Sequence, residues 1–204
     1  NMPVKQDLGK GKTKAELGLP EDKHIIITQG AGINIDRGIE EAVEAMQYLN
    51  DTCFVIVGNG DVVPQLKERV KELNLEEVVI FKGRMPYSEM MQYTQHAELG
   101  LTLDKDTNIN YRFSLPNKVF DYIHAGVPVL ASKVVEVKKI IEDYQIGLLI
   151  DNHEPKHIAE QIKKALNDQE LRMLWQQNII RATEELHWGH EEVSLQKVYR
   201  QFEA

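Results

Sequence analysis

The sequence predicts an α/β protein with a Rossmann-like, doubly wound, mostly parallel sheet. Two patterns carry this: short β-rich runs alternate with helical segments from His24 onward, and several of the runs are apolar throughout. Strands covered by helices on both faces read as unbroken apolar runs, whereas a sheet with one wet face alternates. At 204 residues the chain suits one large α/β domain with a substantial core.

Strands are expected over 24–29, 52–57, 78–82, 98–103, 127–131 and 146–150. Between the first two, Ile39, Ala42, Val43, Met46 and Leu49 recur at helical spacing behind Asp36, whose carboxylate has the chemistry of an N-cap. Leu66, Val70 and Leu73 repeat the pattern, as do Ile158, Ile162, Ala165 and Leu166, then Leu171, Leu174, Trp175, Ile179, Ala182 and Leu186. Each stripe reads as a core-facing face. Residues 1–22, with Gly9, Gly11 and Gly18, read as a linker and the start of the domain, with a further segment expected before them. Residues 23–187 form the domain proper. The tail, 188–204, carries Val193, Leu195, Val198, Tyr199 and Phe202, more apolar surface than a terminal helix on a complete domain needs. In this chain alone it is expected to be mobile or to dock on another copy.

Composition narrows the function. A formal net charge of −8 and the lack of a basic run argue against nucleic acid as a partner. Cys53, the only cysteine, sits in the apolar run Phe54-Val55-Ile56-Val57, so it reads as a buried thiol. A reducing cytoplasm fits. The longest apolar runs are strand-sized, well short of the roughly 20 residues of a membrane helix. The seven histidines lack metal-ligand spacing, and no metal site is expected.

In open α/β sheets ligands bind beyond the carboxyl ends of the strands, so the segments after each strand carry the chemistry. The first runs from Gly30 through Ala31 and Gly32 to Arg37 and Gly38. Glycines before a helix let the backbone approach a phosphate, and Arg37 adds a charged fork for phosphate oxygens. A dinucleotide fingerprint fails here, because Ile35 stands where its third glycine belongs. The second strand ends at Gly58-Asn59-Gly60, with Asp61 close by but no carboxylate at the strand tip.

The most informative stretch runs from Tyr111 to Val129. Ser114 can cap a helix, Pro116 is tolerated in a first turn, and Gly126 with Pro128 ends the helix before a buried strand. Asp121 lies seven positions after Ser114, two helical turns along, so one ligand could touch both ends.

These residues resemble the donor-site segment of the retaining glycosyltransferases of family four, the glycosyl transferases group 1, which have the two-domain GT-B fold. Gly58-Asn59-Gly60 resembles the family's Gly-Asp-Gly turn, and Phe81-Lys82-Gly83-Arg84 with Glu89 and Ala97 resembles its third-strand block. Gly147-Leu148-Leu149-Ile150 and the closing helices, with Trp188 and Tyr199, also fit. The resemblance covers nearly the whole chain and implies the C-terminal, donor-binding half of such an enzyme. It implies binding of a nucleoside-diphosphate sugar, without a bound metal, and retaining transfer of a hexose-type sugar in cell-surface polysaccharide biosynthesis. An N-terminal domain would supply the acceptor site and any membrane association, the helix over 188–204 would cross to it, and this half alone would bind without turnover.

By the same resemblance, Arg37 and Lys118 would stabilise the departing diphosphate. Gly30, Gly32 and Gly58, with the amides of Ser114, Leu115 and Asn117, would approach it. Arg84 would line the base pocket, where backbone near Gly83 and Met85 reads the base, and Asp121 would take the ribose hydroxyls. Two positions depart from the family: Phe113 stands where it has its first glutamate, and Ala31 where it has an arginine. A nucleotide-sugar epimerase of the same fold and a non-catalytic nucleotide-sugar or phosphate-binding module stay open as alternatives.

Overall fold

The computed structural model describes residues 11–200. Six strands form one parallel sheet: β1 (His24–Gly30), β2 (Thr52–Gly58), β3 (Val79–Gly83), β4 (Leu99–Thr102), β5 (Val129–Ala131) and β6 (Gly147–Leu149). Their order is β3-β2-β1-β4-β5-β6. The chain therefore builds outward in one direction from β1, returns, and builds outward in the other, with the reversal between β1 and β4. The expected fold class and all six strand positions are observed, with ends shifted by one or two residues.

Burial explains the unbroken apolar runs. Ile25, Ile26 and Ile27 in β1, and Phe54, Val55 and Ile56 in β2, are fully buried because helices cover both faces of the sheet. Right-handed crossovers put helices on opposite faces for the two directions of strand growth. Accordingly α2 (Ile39–Ala45), α3 (Val63–Glu72) and α8 (Pro155–Asn167) share one face. On the other lie α4 (Tyr87–Thr94), α6 (Asn117–His124), α7 (Val135–Tyr144) and α9 (Gln169–Glu185). Of the predicted stripes, Leu174 falls on the exposed side of α9, while Trp175, Ile179 and Ala182 face the core.

Three local expectations change. The glycine-containing segment read as linker holds α1 (Lys14–Leu17), whose capping box pairs Thr13 with Glu16 and whose end is Gly18 in the left-handed conformation. Leu17 and Leu19 enter the core. Asp36 does not cap α2: the N-cap position is Gly38, and Asp36 itself turns through φ 63°. Gly38 is needed because a Cβ there would strike the Leu103 carbonyl, so α2 begins pressed against the exit of β4. Ser114 does not cap α6 either; Pro116 occupies that position, after the single turn α5 (Ile109–Arg112). The end of α6 follows the sequence reading: Gly126 turns through φ 75°, and Val127 N donates to Tyr122 O.

On α6, Val119, Phe120, Tyr122 and Ile123 are buried, and the Tyr122 hydroxyl lies 3.3 Å from Ile27 O and 3.2 Å from Leu101 O. The ring covers Gly100, where any Cβ would collide with it. This fixes α6 across the gap between β1 and β4. The last helix, α10 (Trp188–Arg200), exposes Val193, Leu195, Val198 and Tyr199. Phe202 and residues 1–10, including Gly9, lie outside the described residues.

Candidate functional site

The chain's reversal between β1 and β4 leaves a crevice at their carboxyl ends, where open α/β sheets bind ligands. A cavity of about 570 Å³ opens there. It is lined by Gly30, Ala31, Gly32 and Arg37 after β1, Gly58 after β2, and Arg84 and Met85 after β3. Tyr87 and Met90 of α4 and Asn117, Lys118 and Asp121 of α6 complete the wall. Of the residues predicted for the site, Gly30, Gly32, Arg37, Gly58, Arg84, Asn117, Lys118 and Asp121 come together here.

Ser114 and Leu115 do not line the cavity. The Ser114 amide already donates to Tyr111 O at 3.1 Å, and its hydroxyl lies 3.4 Å from Asp104 Oδ2. Leu115 packs against the core instead. Because α6 starts at Asn117, the amides without intrahelical partners are those of Asn117 and Lys118, so of the three expected amides Asn117 alone is among them. Phe113, at the first glutamate position of the resembled family, is exposed and points no carboxylate anywhere near the cavity.

The cations Arg37 and Lys118 line the cavity. Arg37 Nη1 meets Asp104 Oδ2 at 2.5 Å, and its guanidinium lies 4.4 Å over the Tyr111 ring. Its Nε is buried with no protein partner. Lys118 reaches back from α6 beside Gly30, with its Nζ 3.5 Å from Thr28 Oγ1 and no acidic partner among the described residues. Burial pushes the pKa of this amine down, opposed by the charge of Asp104. Lys118 thus brings a cation close to the loop that follows β1.

Asp121, one helical turn beyond Lys118 on α6, is only 6% exposed. Its Oδ1 accepts from the Tyr87 hydroxyl at 2.9 Å and its Oδ2 from Gln29 Nε2 at 3.1 Å. Thr94 Oγ1 in turn donates to Gln29 Oε1 at 2.5 Å. Burial is the largest influence on the carboxyl and raises its pKa, against bonds from Tyr87 and Gln29 that favour the ionised form. A raised native pKa means that the folded state binds this proton more tightly than the unfolded chain. The contribution to stability is therefore fullest below the ordinary carboxylate pKa and is lost as pH rises through the raised one. Carbon-13 titration of the side-chain carboxyls should find Asp121 above the ordinary value of about 3.9, with Gln29→Leu raising it further. A midpoint at or below the ordinary value would contradict this account.

Three residues at the site escaped sequence reasoning. Asp104 is 1% exposed and anchors Arg37. Gln29 carried a usable signal, a polar residue inside an apolar strand. Tyr87 carried none. A second hollow of about 370 Å³, lined by Asp104, Ser132, Lys133 and His153 among others, adjoins the ends of β4, β5 and β6. Among the described residues no three His, Cys, Asp or Glu side chains are grouped to hold a metal ion.

A family model described as "Glycosyl transferases group 1" matches residues 9–182. The chain belongs to this family. As a group 1 glycosyl transferase chain it is 22% identical to the D-inositol 3-phosphate glycosyltransferase of Corynebacterium glutamicum over 203 residues, 95% of this chain and 47% of that protein. Its fold matches sucrose-phosphate synthase from Thermosynechococcus elongatus with a TM-score of 0.80 at 22% identity, over 93% of this chain and 48% of that one. It also matches HepE of Anabaena, solved with UDP-glucose, with a TM-score of 0.75 at 15% identity, over 91% and 51%. The group 1 chain thus spans about half the length of these relatives. Among its described residues no helix is long and apolar enough to cross a membrane.

Proposed function

We propose that this chain is the donor-binding part of a hexosyltransferase, holding a nucleoside-diphosphate sugar for retaining transfer to an acceptor. The observation that carries this is the grouping of cations and oxygen acceptors in one cavity. Arg37, Lys118 and the start of α6 bring positive charge to its wall, and the buried, hydrogen-bonded carboxylate of Asp121 lies one helical turn beyond Lys118 on α6. A nucleoside diphosphate carries the complementary groups, anionic phosphates and a ribose diol. Fixed cations and amides aimed at the diphosphate stabilise the charge that develops on it as the sugar departs. Arg37 and Lys118 perform that step, and Arg84 and Met85 border the base.

The relatives' names support the reading: HepE was solved with UDP-glucose, and the aligned Corynebacterium protein is a glycosyltransferase. The acceptor site and residues completing catalysis belong to a second domain, so this chain binds donor without turnover in the cytoplasm, serving cell-surface polysaccharide synthesis. Calorimetry and thermal shift with UDP, ADP and GDP, the corresponding nucleosides and inorganic phosphate test this. At least one diphosphate should bind at least tenfold more tightly than its nucleoside, about 1.4 kcal/mol. Diphosphates binding no better than nucleosides would refute the reading.

A further inference from the structure

Tyr87 stands first in α4, against the cavity wall formed by α6. It is 39% exposed, while the carboxylate it touches is almost wholly buried. The phenol has one proton and donates it to Asp121 Oδ1. Its oxygen can therefore offer only lone pairs to anything else, and the exposed part of the residue borders the cavity. Asp121 is in turn held from behind by Gln29, itself fully buried and fixed by Thr94, so the acceptor pair cannot swing away.

Two oxygen acceptors 2.9 Å apart, one anionic and one phenolic, suit a pair of adjacent hydroxyls. An aspartate carries its carboxylate one methylene closer to the backbone than a glutamate would, and the tyrosine hydroxyl is bonded to it in a wall that both residues line. We propose that Tyr87 determines specificity for the sugar of the nucleotide, its hydroxyl oxygen accepting a proton from one ribose hydroxyl while Asp121 accepts from the other. The proposal rests on the nucleoside-diphosphate reading above and assigns one contact within it. Gln29 is a positioning residue, acting through Asp121.

The test uses the 204-residue chain and the tightest binder among UDP, ADP and GDP, with its 2′-deoxy and 3′-deoxy counterparts, by calorimetry. Wild type should prefer the ribonucleotide over at least one deoxy form by about fivefold or more, the value of one neutral hydrogen bond. In Tyr87→Phe, which keeps the ring and its packing, that ratio should fall to within about twofold, with the melting temperature little changed. Asp121→Asn, which leaves an oxygen for the tyrosine proton, serves as the comparison. An unchanged ratio in Tyr87→Phe, alongside a collapsed ratio in Asp121→Asn, would assign the ribose to the carboxylate alone and overturn the proposal. A wild type that discriminates against neither deoxy form would also overturn it. A wild type that binds diphosphates no better than nucleosides would instead overturn the underlying reading, and the two failures are distinguishable.

Discussion

Gly58→Ala is expected to destabilise the protein by about 3 kcal/mol or more, combining backbone strain with overpacking of about 1–3 kcal/mol each. Gly58 ends β2 at φ 135° and is paired in register with Gly30, which ends β1 at φ 143°. A Cβ on Gly58 would overlap the Gly30 carbonyl, a backbone atom fixed by the sheet, so no side chain can move aside to relieve it. Relief would have to come from shifting the end of β1, and that strand end forms the cavity wall. Nucleoside-diphosphate binding should therefore weaken together with stability.

Gly32→Ala is the matched control. Its backbone is not in the left-handed region, and the nearest atom to an added Cβ is a side-chain nitrogen of Asn34 at 3.4 Å, so the cost should stay below about 1 kcal/mol. Urea unfolding of both variants measures the difference. If Gly58→Ala unfolds within about 0.5 kcal/mol of wild type, the close approach of the two strand ends is not what fixes the cavity wall.

The strands and most helices were legible because burial on both faces leaves a composition that has no other cheap explanation. Ile25 to Ile27 and Phe54 to Ile56 could hardly be anything but covered strands. The glycines at 30 and 58 were legible as backbone requirements, Arg37 and Asp121 followed from their places after β1 and on the helix of the informative stretch, and Lys118 and Arg84 were reached only through the family resemblance. Helix starts were not. A serine or aspartate near a helix start has capping chemistry wherever the chain turns, and here packing chose otherwise: Gly38 is pressed on Leu103, and Pro116 sets the entry to α6.

The partners of the site residues were also hidden, for a different reason. Asp104 meets Arg37 across a separation of 67 residues, and Tyr87 meets Asp121 across 34. Local pattern carries no information about such pairs. A lone aspartate after a strand looks like a solvated loop residue until the fold presses a cation against it. Lys118 similarly reaches the loop after β1, brought alongside Gly30 only by the packing of α6 over the sheet.

That packing makes Arg37→Ala a variant with two separable losses. Without the guanidinium, nucleoside-diphosphate affinity should fall by about 1.5–3 kcal/mol, roughly tenfold to a hundredfold, while affinity for the nucleoside changes little. Stability should also fall, because Asp104 is 1% exposed and would keep a carboxylate whose remaining side-chain contact is the Ser114 hydroxyl at 3.4 Å. Orphaning a fully buried charge costs about 3–5 kcal/mol, and since the Arg37 side chain is itself 24% exposed, about 2 kcal/mol is the better expectation. The double variant Arg37→Ala with Asp104→Asn separates the two. Removing the orphaned charge should restore most of the stability, whereas the diphosphate affinity should stay low because no cation has been returned. Equal losses for diphosphate and nucleoside in Arg37→Ala would remove Arg37 from the phosphate end of the cavity. Stability that the double variant fails to recover would show that Arg37 holds the β1–α2 loop through its contact with Tyr111 rather than through its charge on Asp104.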